Sequence, residues 1–362
     1  LYRSPCGRRF STCPGKAGLR CSCGNEHGIR DTLQVGTESR SMVKRLYAMI
    51  KRFIPRSWRV ALPNFRWMRQ GDLYLLAKRL KQTERHYFLM KGFEMKRQYP
   101  AVAADPGHAL ELNRYEDKLY SQNGEDGILL YIFSKIGLTN RRFVEFGIGD
   151  GRECNTANLS LNFGWRGLLM DGNKESAALA GRYYRDELYH KREPQDRSAD
   201  VRVLHAMVTA ENINTLLREN GISGEIDLLS IDIDGNEYWV WKAITAIHPQ
   251  VVVIEYNASM GSEEPITVKY DPNFDKHHYV PFNFYYGASL AALTKLAHAK
   301  GYILVGCEST GTNAFFIRQD AAAGKFTDVP VSKAFFPLAR RCRVMNAQEQ
   351  FERLRQYDFE RV

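Results

Sequence analysis

Phe143-Val144-Glu145-Phe146-Gly147-Ile148-Gly149-Asp150-Gly151 is followed, after one helical stretch, by Gly167-Leu168-Leu169-Met170-Asp171-Gly172. The first run reads as a buried strand that ends in an acidic residue and a glycine turn. The second reads as another buried strand ending in a carboxylate. Glycines let a backbone approach a ligand closely, and a carboxylate at the next strand tip can accept both ribose hydroxyl protons. The pair therefore predicts a nucleoside-containing ligand on a doubly wound α/β sheet. A dinucleotide fingerprint, G-x-G-x-x-G, would need glycine where Arg152 stands. Here the glycines fall as G-x-G-x-G, at Gly147, Gly149 and Gly151.

Outward from these strands the alternation of strand and helix continues. Ser121–Asp126 leads into a helix carrying Ile128, Leu129, Ile132, Phe133 and Ile136. Strands are expected at Arg142–Phe146, Gly167–Asp171, Val201–Met207, Ile226–Asp232 and Gln250–Tyr256. Helices are expected at about Glu153–Asn162, Lys174–Asp186, Ala210–Asn220, Glu237–Ile247 and Ser289–Lys300. Tyr302–Glu308 and Asn313–Arg318 are joined by Ser309-Thr310-Gly311-Thr312, too short for a crossover, so they predict a terminal antiparallel hairpin. The expectation is a seven-stranded, mostly parallel Rossmann-like sheet over 108–320.

The flanks differ in character. Residues 1–100 hold 22 Lys/Arg and 6 Asp/Glu, whereas the whole chain is only +10, so the core is mildly acidic. That balance argues against nucleic acid as the core's partner. Residues 1–41 read as a disordered or non-native leader, with Cys6, Cys13, Cys21 and Cys23 beside His27 at spacings unlike paired C-x-x-C zinc motifs. Residues 42–107 read as a basic helical region. Val43, Leu46, Tyr47, Ile50, Phe53 and Ile54 recur at helical spacing among Lys and Arg, and Pro55 stops them. Such a helix either packs on the domain or lies on an anionic membrane through residues 43–59. A second helix is expected over Asp72–Lys96 and a linker over Tyr99–Gly107; 321–362 is a C-terminal extension ending in a helix near Ala347–Tyr357. No apolar run is long enough to span a membrane, and the remaining cysteines are scattered. The expected location is cytoplasmic, with peripheral contact at the inner membrane face as the alternative.

Ligands of a doubly wound sheet gather at the carboxyl ends of its strands. Those tips hold Glu145, Gly147, Gly149 and Asp150, then Asp171, then His205-Ala206-Met207, then Asp232 and Asp234, then Glu255 and Asn257. Asp232 and His205 are candidate general bases, His205 being the type that titrates nearest neutrality. Backbone and side chain at Ala206 and Met207 are placed to hold a planar base. Asp232, Asp234, Glu255 and Asn257 are candidate oxygen ligands for Mg²⁺. The segment Asn257–Gly287 adds Tyr270, Phe274, His277, His278, Tyr279, Phe282, Phe284, Tyr285 and Tyr286, aromatics whose faces suit sugar rings unless they pack as a loop core.

Tyr120–Asp126, Phe143–Gly151, Asn155-Thr156, Gly164–Gly167 and Ile231-Asp232-Ile233-Asp234-Gly235-Asn236-Glu237 resemble the FkbM-type methyltransferases, in order, over roughly Tyr120 to Arg318. The resemblance implies S-adenosylmethionine (SAM) as methyl donor and O-methyl transfer, in a family often tied to polysaccharide or secondary-metabolite synthesis. It places Glu145, Gly147, Asp171 and Asp232 around the cofactor, covered by Ser121 and Gln122; Gly149, Asp150, Asn155, Thr156, Ala206 and Met207 complete the expected binding set. Glu145 stands where many members have Asp, and Asp234 where the commoner form has Glu. The expected acceptor is a hydroxyl of a sugar, glycan or glycolipid precursor. The rival readings are a non-catalytic SAM-binding scaffold in glycan assembly and a nucleotide-dependent oxidoreductase. The sequence sets no oligomeric state.

Overall fold

Gln70–Ala104 opens the computed structural model as helix α1; residues 70–104, 111–191, 201–279 and 284–362 are described. The leader, its cysteines, the 43–59 helix and residues 280–283 of the aromatic segment lie outside the described residues. The chain divides into two compact units, Leu1–Tyr87 and Phe88–Val362, and everything below concerns the second.

The linker expected from Tyr99 does not begin there, because α1 runs through Pro100 to Ala104. Proline in a helix interior removes a hydrogen bond and crowds the preceding turn. Tertiary contacts offset that cost: Tyr99 and Val102 pack on the core, and Lys135 Nζ donates to the carbonyls of Val102 and Ala103 at 3.4 and 3.0 Å.

Helix α2 (Glu125–Ile136) precedes β1 (Arg142–Phe146), and α3 (Ala157–Phe163) precedes β2 (Arg166–Asp171). Then follow α4 (Lys174–Lys191), β3 (Val201–His205), α5 (Ile213–Glu219), β4 (Gly224–Ile231), α6 (Glu237–Ala243) and β5 (Ile247–Glu255). After β6 (Ile266–Val268) come α7 (Leu290–Ala299), β7 (Tyr302–Cys307) and β8 (Asn313–Arg318). The C-terminal extension adds α8 (Gln319–Ala322), α9 (Val331–Ala334), α10 (Ala339–Cys342), α11 (Ala347–Leu354) and β9 (Phe359–Arg361).

The main sheet has the order β3-β2-β1-β4-β5-β8-β7. Strands β1 to β5 pair in parallel, and β8 pairs antiparallel with both β5 and β7. This is the expected α/β sheet with its terminal hairpin. Both faces of the central strands are covered, so Val144, Phe146, Leu229 and Ile231 join one core and Phe143, Leu169, Leu228 and Val253 the other. That burial explains why these strands read as continuous apolar runs instead of alternating. Trp165 and Trp241 anchor opposite layers and are almost fully buried; burying side chains this large stabilises by roughly 3 kcal/mol each.

Some boundaries shift for physical reasons. Strand β5 begins at Ile247, ahead of Pro249, because a proline near a strand's start forfeits little of the ladder. The helix expected from Glu153 starts only at Ala157, since the amides of Asn155 and Thr156 are drawn to Glu145. The Asn257–Gly287 segment is not wholly irregular: β6 pairs with β9. Among the described residues no helix is long and apolar enough to cross a membrane.

Candidate active site

The parallel strands deliver their carboxyl ends to one edge, where the glycine turn and β4 meet. Gly147 donates to the carbonyl of Met170 at 2.9 Å, and Asp232 donates its amide to Phe146 at 3.1 Å. A Cβ on Gly147 would sit 1.4 Å from the Asp232 carbonyl oxygen. The turn after β1 and the tip of β4 are therefore in backbone contact. Above Gly149, by contrast, a Cβ would meet nothing within 4 Å.

Asp171 holds this turn from the neighbouring strand. Its Oδ2 accepts from Gly149 N at 2.7 Å and its Oδ1 from Asn173 N at 2.8 Å. A carboxylate has about four lone-pair sites, so each oxygen keeps one for a ligand. Ala206 donates its amide to the Asp171 carbonyl at 3.0 Å, and Met207, 64% exposed, lays its sulfur against Gly172. Asp150 is exposed and faces Arg152.

Glu145 behaves differently from Asp171. Its carboxylate is buried and accepts from Asn155 N at 2.8 Å, Ser230 Oγ at 3.2 Å, Thr156 N at 3.0 Å and Thr156 Oγ1 at 2.5 Å. Four donors fill its lone pairs, so Glu145, Asn155 and Thr156, expected in the cofactor-binding set, form a brace for the glycine turn. Burial pushes the Glu145 carboxyl up while those donors pull it down. Ser121 is engaged in a similar way: its buried hydroxyl donates to Asp126 Oδ2 at 2.9 Å and accepts from the Asp126 amide at 3.0 Å. Gln122 is exposed beside it.

Asp126 Oδ2 also accepts from the amides of Leu119, Tyr120 and Ser121, at 2.7 to 2.8 Å. Burial pushes its carboxyl from 3.8 up to about 7 against the pull of these donors. The folded chain thus holds the Asp126 proton more tightly than the unfolded chain. The resulting contribution to stability is full at low pH and is lost as pH rises from about 4 through about 7. Asp126→Asn fixes the group uncharged and should flatten this slope. Thermal melts at pH 5 and pH 8 check it: the wild type should lose several degrees more than the variant, and parallel losses would refute the assignment.

The β4 and β5 tips carry the remaining acids. Asp232 is half-buried, Asp234 exposed and Glu255 buried, and each offers an oxygen within 4.8 Å of the others. Desolvation, then the Asp234 charge, pushes the Asp232 carboxyl up to about 6, opposed by contact with Glu255 and by the Lys276 charge. Burial, then the charges of Asp232, Asp234 and Glu237, holds Glu255 well above the usual carboxylate range. Lys276 Nζ pairs with Asp234, whose φ of 58° marks a left-handed turn that aspartate tolerates.

Two expected members do not join this group. Asn257 gives its amide to the carbonyls of Phe284 and Tyr286 at 2.6 and 2.8 Å, and its Oδ1 accepts from Ser259 N at 3.1 Å. It is fully buried as a loop clamp and is withdrawn as a metal ligand. His205 is exposed on edge strand β3, with Nε2 3.1 Å from Gly172 O. Three strand spacings, about 14 Å, separate β3 from β4. His205 and Asp232 therefore cannot serve one acceptor atom together.

The aromatic segment is largely a small core. Phe274, Tyr279 and Tyr285 pack on one another, and Tyr285 packs in turn on Tyr357 and Phe359 of the C-terminal extension, with ring centres 4.5 to 6.1 Å apart. Asp232 has neighbours that strand-tip reasoning missed. Glu237 grips the β4 tip through the amides of Ile233 and Gly235, at 2.9 to 3.1 Å. Glu125, fully buried, accepts from Asn313 Nδ2 at 2.8 Å, and Asn313 lies opposite Glu255 in the ladder. The acid in Asn123-Gly124-Glu125 was legible as a pattern, but its partner lies 188 positions away.

Solved structures with similar folds share little sequence. A SAM-dependent methyltransferase from Aquifex aeolicus is 12% identical over 58% of this chain and 97% of its own, with a TM-score of 0.30. An O-methyltransferase from Bacillus cereus in complex with SAH is 14% identical over 60% of this chain and 89% of its own, at 0.32. The StiE O-MT, residues 942–1257, is 11% identical over 51% of this chain, which spans about half (53%) of that structure, at 0.30. A search of curated proteins finds no significant match. The family model described as "Methyltransferase FkbM domain" matches residues 115–303, from just ahead of the Ser121–Asp126 clamp to the start of β7. With more than half its length inside that match, and with the glycine turn, Asp171 and the β4 acids all falling within it, the chain belongs to the FkbM methyltransferase family.

Proposed function

We propose that this chain is a SAM-dependent O-methyltransferase whose acceptor is a hydroxyl on a sugar, glycan or glycolipid precursor. The observation that carries the reading is the backbone contact between the glycine turn and Asp232, which puts a nucleoside cradle and a half-buried carboxylate side by side. The residues fit the donor: Asp171 keeps lone pairs for the ribose hydroxyls, Gly149 leaves open space above the turn, and Met207 presents an apolar sulfur beside Gly172 for the base.

SAM bound there supplies a methyl on a sulfonium, a strong donor that needs alignment more than activation. The protein's part is to hold the acceptor hydroxyl in line and receive its proton. Asp232 does this: its carboxyl, raised to about 6, is ionised at neutral pH yet basic enough to accept a proton as the new O–C bond forms. The proton would then pass from Asp232 to solvent. The sugar assignment is supported by the half-buried Tyr270, whose hydroxyl donates to Glu211, and by the family's frequent association with polysaccharide synthesis. The packed aromatics leave fewer free faces for a sugar than the sequence suggests.

Calorimetric titration of S-adenosylhomocysteine (SAH) tests the donor half. Micromolar binding is expected for the wild type and at least a tenfold loss for Asp171→Ala, with no comparable NAD⁺ binding. Absent SAH binding, or equal binding by the variant, would sink the reading, and NAD⁺ binding would revive an oxidoreductase.

A further inference from the structure

Glu255 carries an unanswered oxygen. It is 5% exposed, yet its Oε2 meets no hydrogen-bond donor. Buried carboxylate oxygens without donors are costly, and where one survives it commonly faces a ligand. Glu255 belongs to the trio whose donor atoms lie within 4.8 Å of one another.

Its orientation is held from outside the family match. Glu255 Oε1 accepts from the Tyr286 hydroxyl at 3.2 Å, and that hydroxyl accepts from Arg341 Nη2 at 3.1 Å. Arg341 sits on α10, beyond residue 303 where the match ends. It donates to Asn257 Oδ1 at 3.3 Å and Ser259 Oγ at 2.9 Å, with its guanidinium 4.7 and 5.1 Å from the ring centres of Phe284 and Tyr286. A guanidinium fixed by three acceptors and two rings fixes Tyr286, and Tyr286 in turn holds the Glu255 carboxyl beside Asp232 and Asp234.

Charge points the same way. Among the described residues, the ammonium paired with this trio is that of Lys276, on Asp234. Once a cation displaces their protons, three carboxylates against one ammonium leave two negative charges, which one divalent cation balances. An all-carboxylate donor set suits a hard cation over zinc or copper.

We propose that Asp232, Asp234 and Glu255 bind one divalent cation of the Mg²⁺ or Mn²⁺ class, and that Arg341, acting through Tyr286, is the positioning residue for Glu255. Each carboxylate gives the cation one oxygen, so Asp232 keeps its other for the acceptor hydroxyl. Only the cation's use rests on the methyl-transfer reading; its binding stands alone.

Mn²⁺ itself is the probe. Electron paramagnetic resonance on the full chain follows loss of the free-ion signal, while SAH calorimetry on the same preparation reports the cofactor side. One Mn²⁺ per chain is expected, displaced by Mg²⁺. Glu255→Gln and Asp234→Asn should each weaken it more than tenfold and leave SAH affinity within threefold. Asp234 is exposed, so its variant serves if Glu255→Gln does not fold. Arg341→Met should weaken Mn²⁺ several-fold, and adding it to Glu255→Gln should cost nothing further, a non-additivity that a merely structural role would not give. No Mn²⁺ binding at millimolar concentration with SAH binding intact overturns the cation site alone. Unchanged or additive effects of Arg341→Met overturn its role, and failed SAH binding beside intact Mn²⁺ binding overturns the methyltransferase reading instead.

Discussion

Gly147→Ala is expected to leave a chain that is insoluble or melts at least about 10 °C lower and binds no SAH. Gly147 has φ of 82°, and its added methyl would lie 1.4 Å from the Asp232 carbonyl oxygen and 2.4 Å from that carbonyl carbon. The left-handed backbone alone costs alanine only about 1 kcal/mol. Overlap with main chain is the larger effect, because neither partner is the tip of a flexible side chain. Relief requires the turn or the β4 tip to move, yet the Asp232 amide on Phe146 and the Gly147 amide on Met170 tie both to β1 and β2. Losses above about 4 kcal/mol mark this kind of failure. A melting temperature within about 2 °C of wild type, with SAH still bound, would show that the two backbones are not in contact.

Asp232→Asn should act on rate and not on folding. Asparagine keeps the shape and the backbone bond to Phe146, but it cannot take a proton. Loss of a positioned general base typically costs about 10²- to 10⁴-fold in rate. The expected result is a kcat fall in that range with SAH affinity within about threefold. Transfer of labelled methyl from SAM into a panel of sugars and glycan precursors measures it, on whichever acceptor the wild type turns over. An unchanged kcat would remove Asp232 from the reaction, and a matching loss of SAH binding would make it a cofactor residue.

Much of the scaffold was legible because its signals are local. Strands buried on both faces read as apolar runs, and Ser289 caps its helix by accepting from Ala292 N. The β6–β9 pair was not legible, since two three-residue strands whose partners stand 91 to 95 positions apart have no pattern of their own. Glu145 and Asp171 look alike in sequence, each an acid at a strand tip. Their difference comes from the two amides, one threonine hydroxyl and Ser230 that surround the first. Asn257 looked like a ligand because amide oxygens can be ligands; its full burial beneath Phe284 and Tyr286 decided otherwise. Arg341 gave no signal at all, being one arginine among several in a short polar stretch.

The β6–β9 ladder has a consequence for how the molecule comes into being. The glycine turn and Asp171 lie within a few dozen residues of each other. The aromatic wall instead waits for Phe359–Arg361, whose pairing with Ile266–Val268 spans most of a hundred residues. Contacts so distant in sequence form late. A chain severed between α11 and β9 would keep all seven strands of the main sheet and lose the partner of β6.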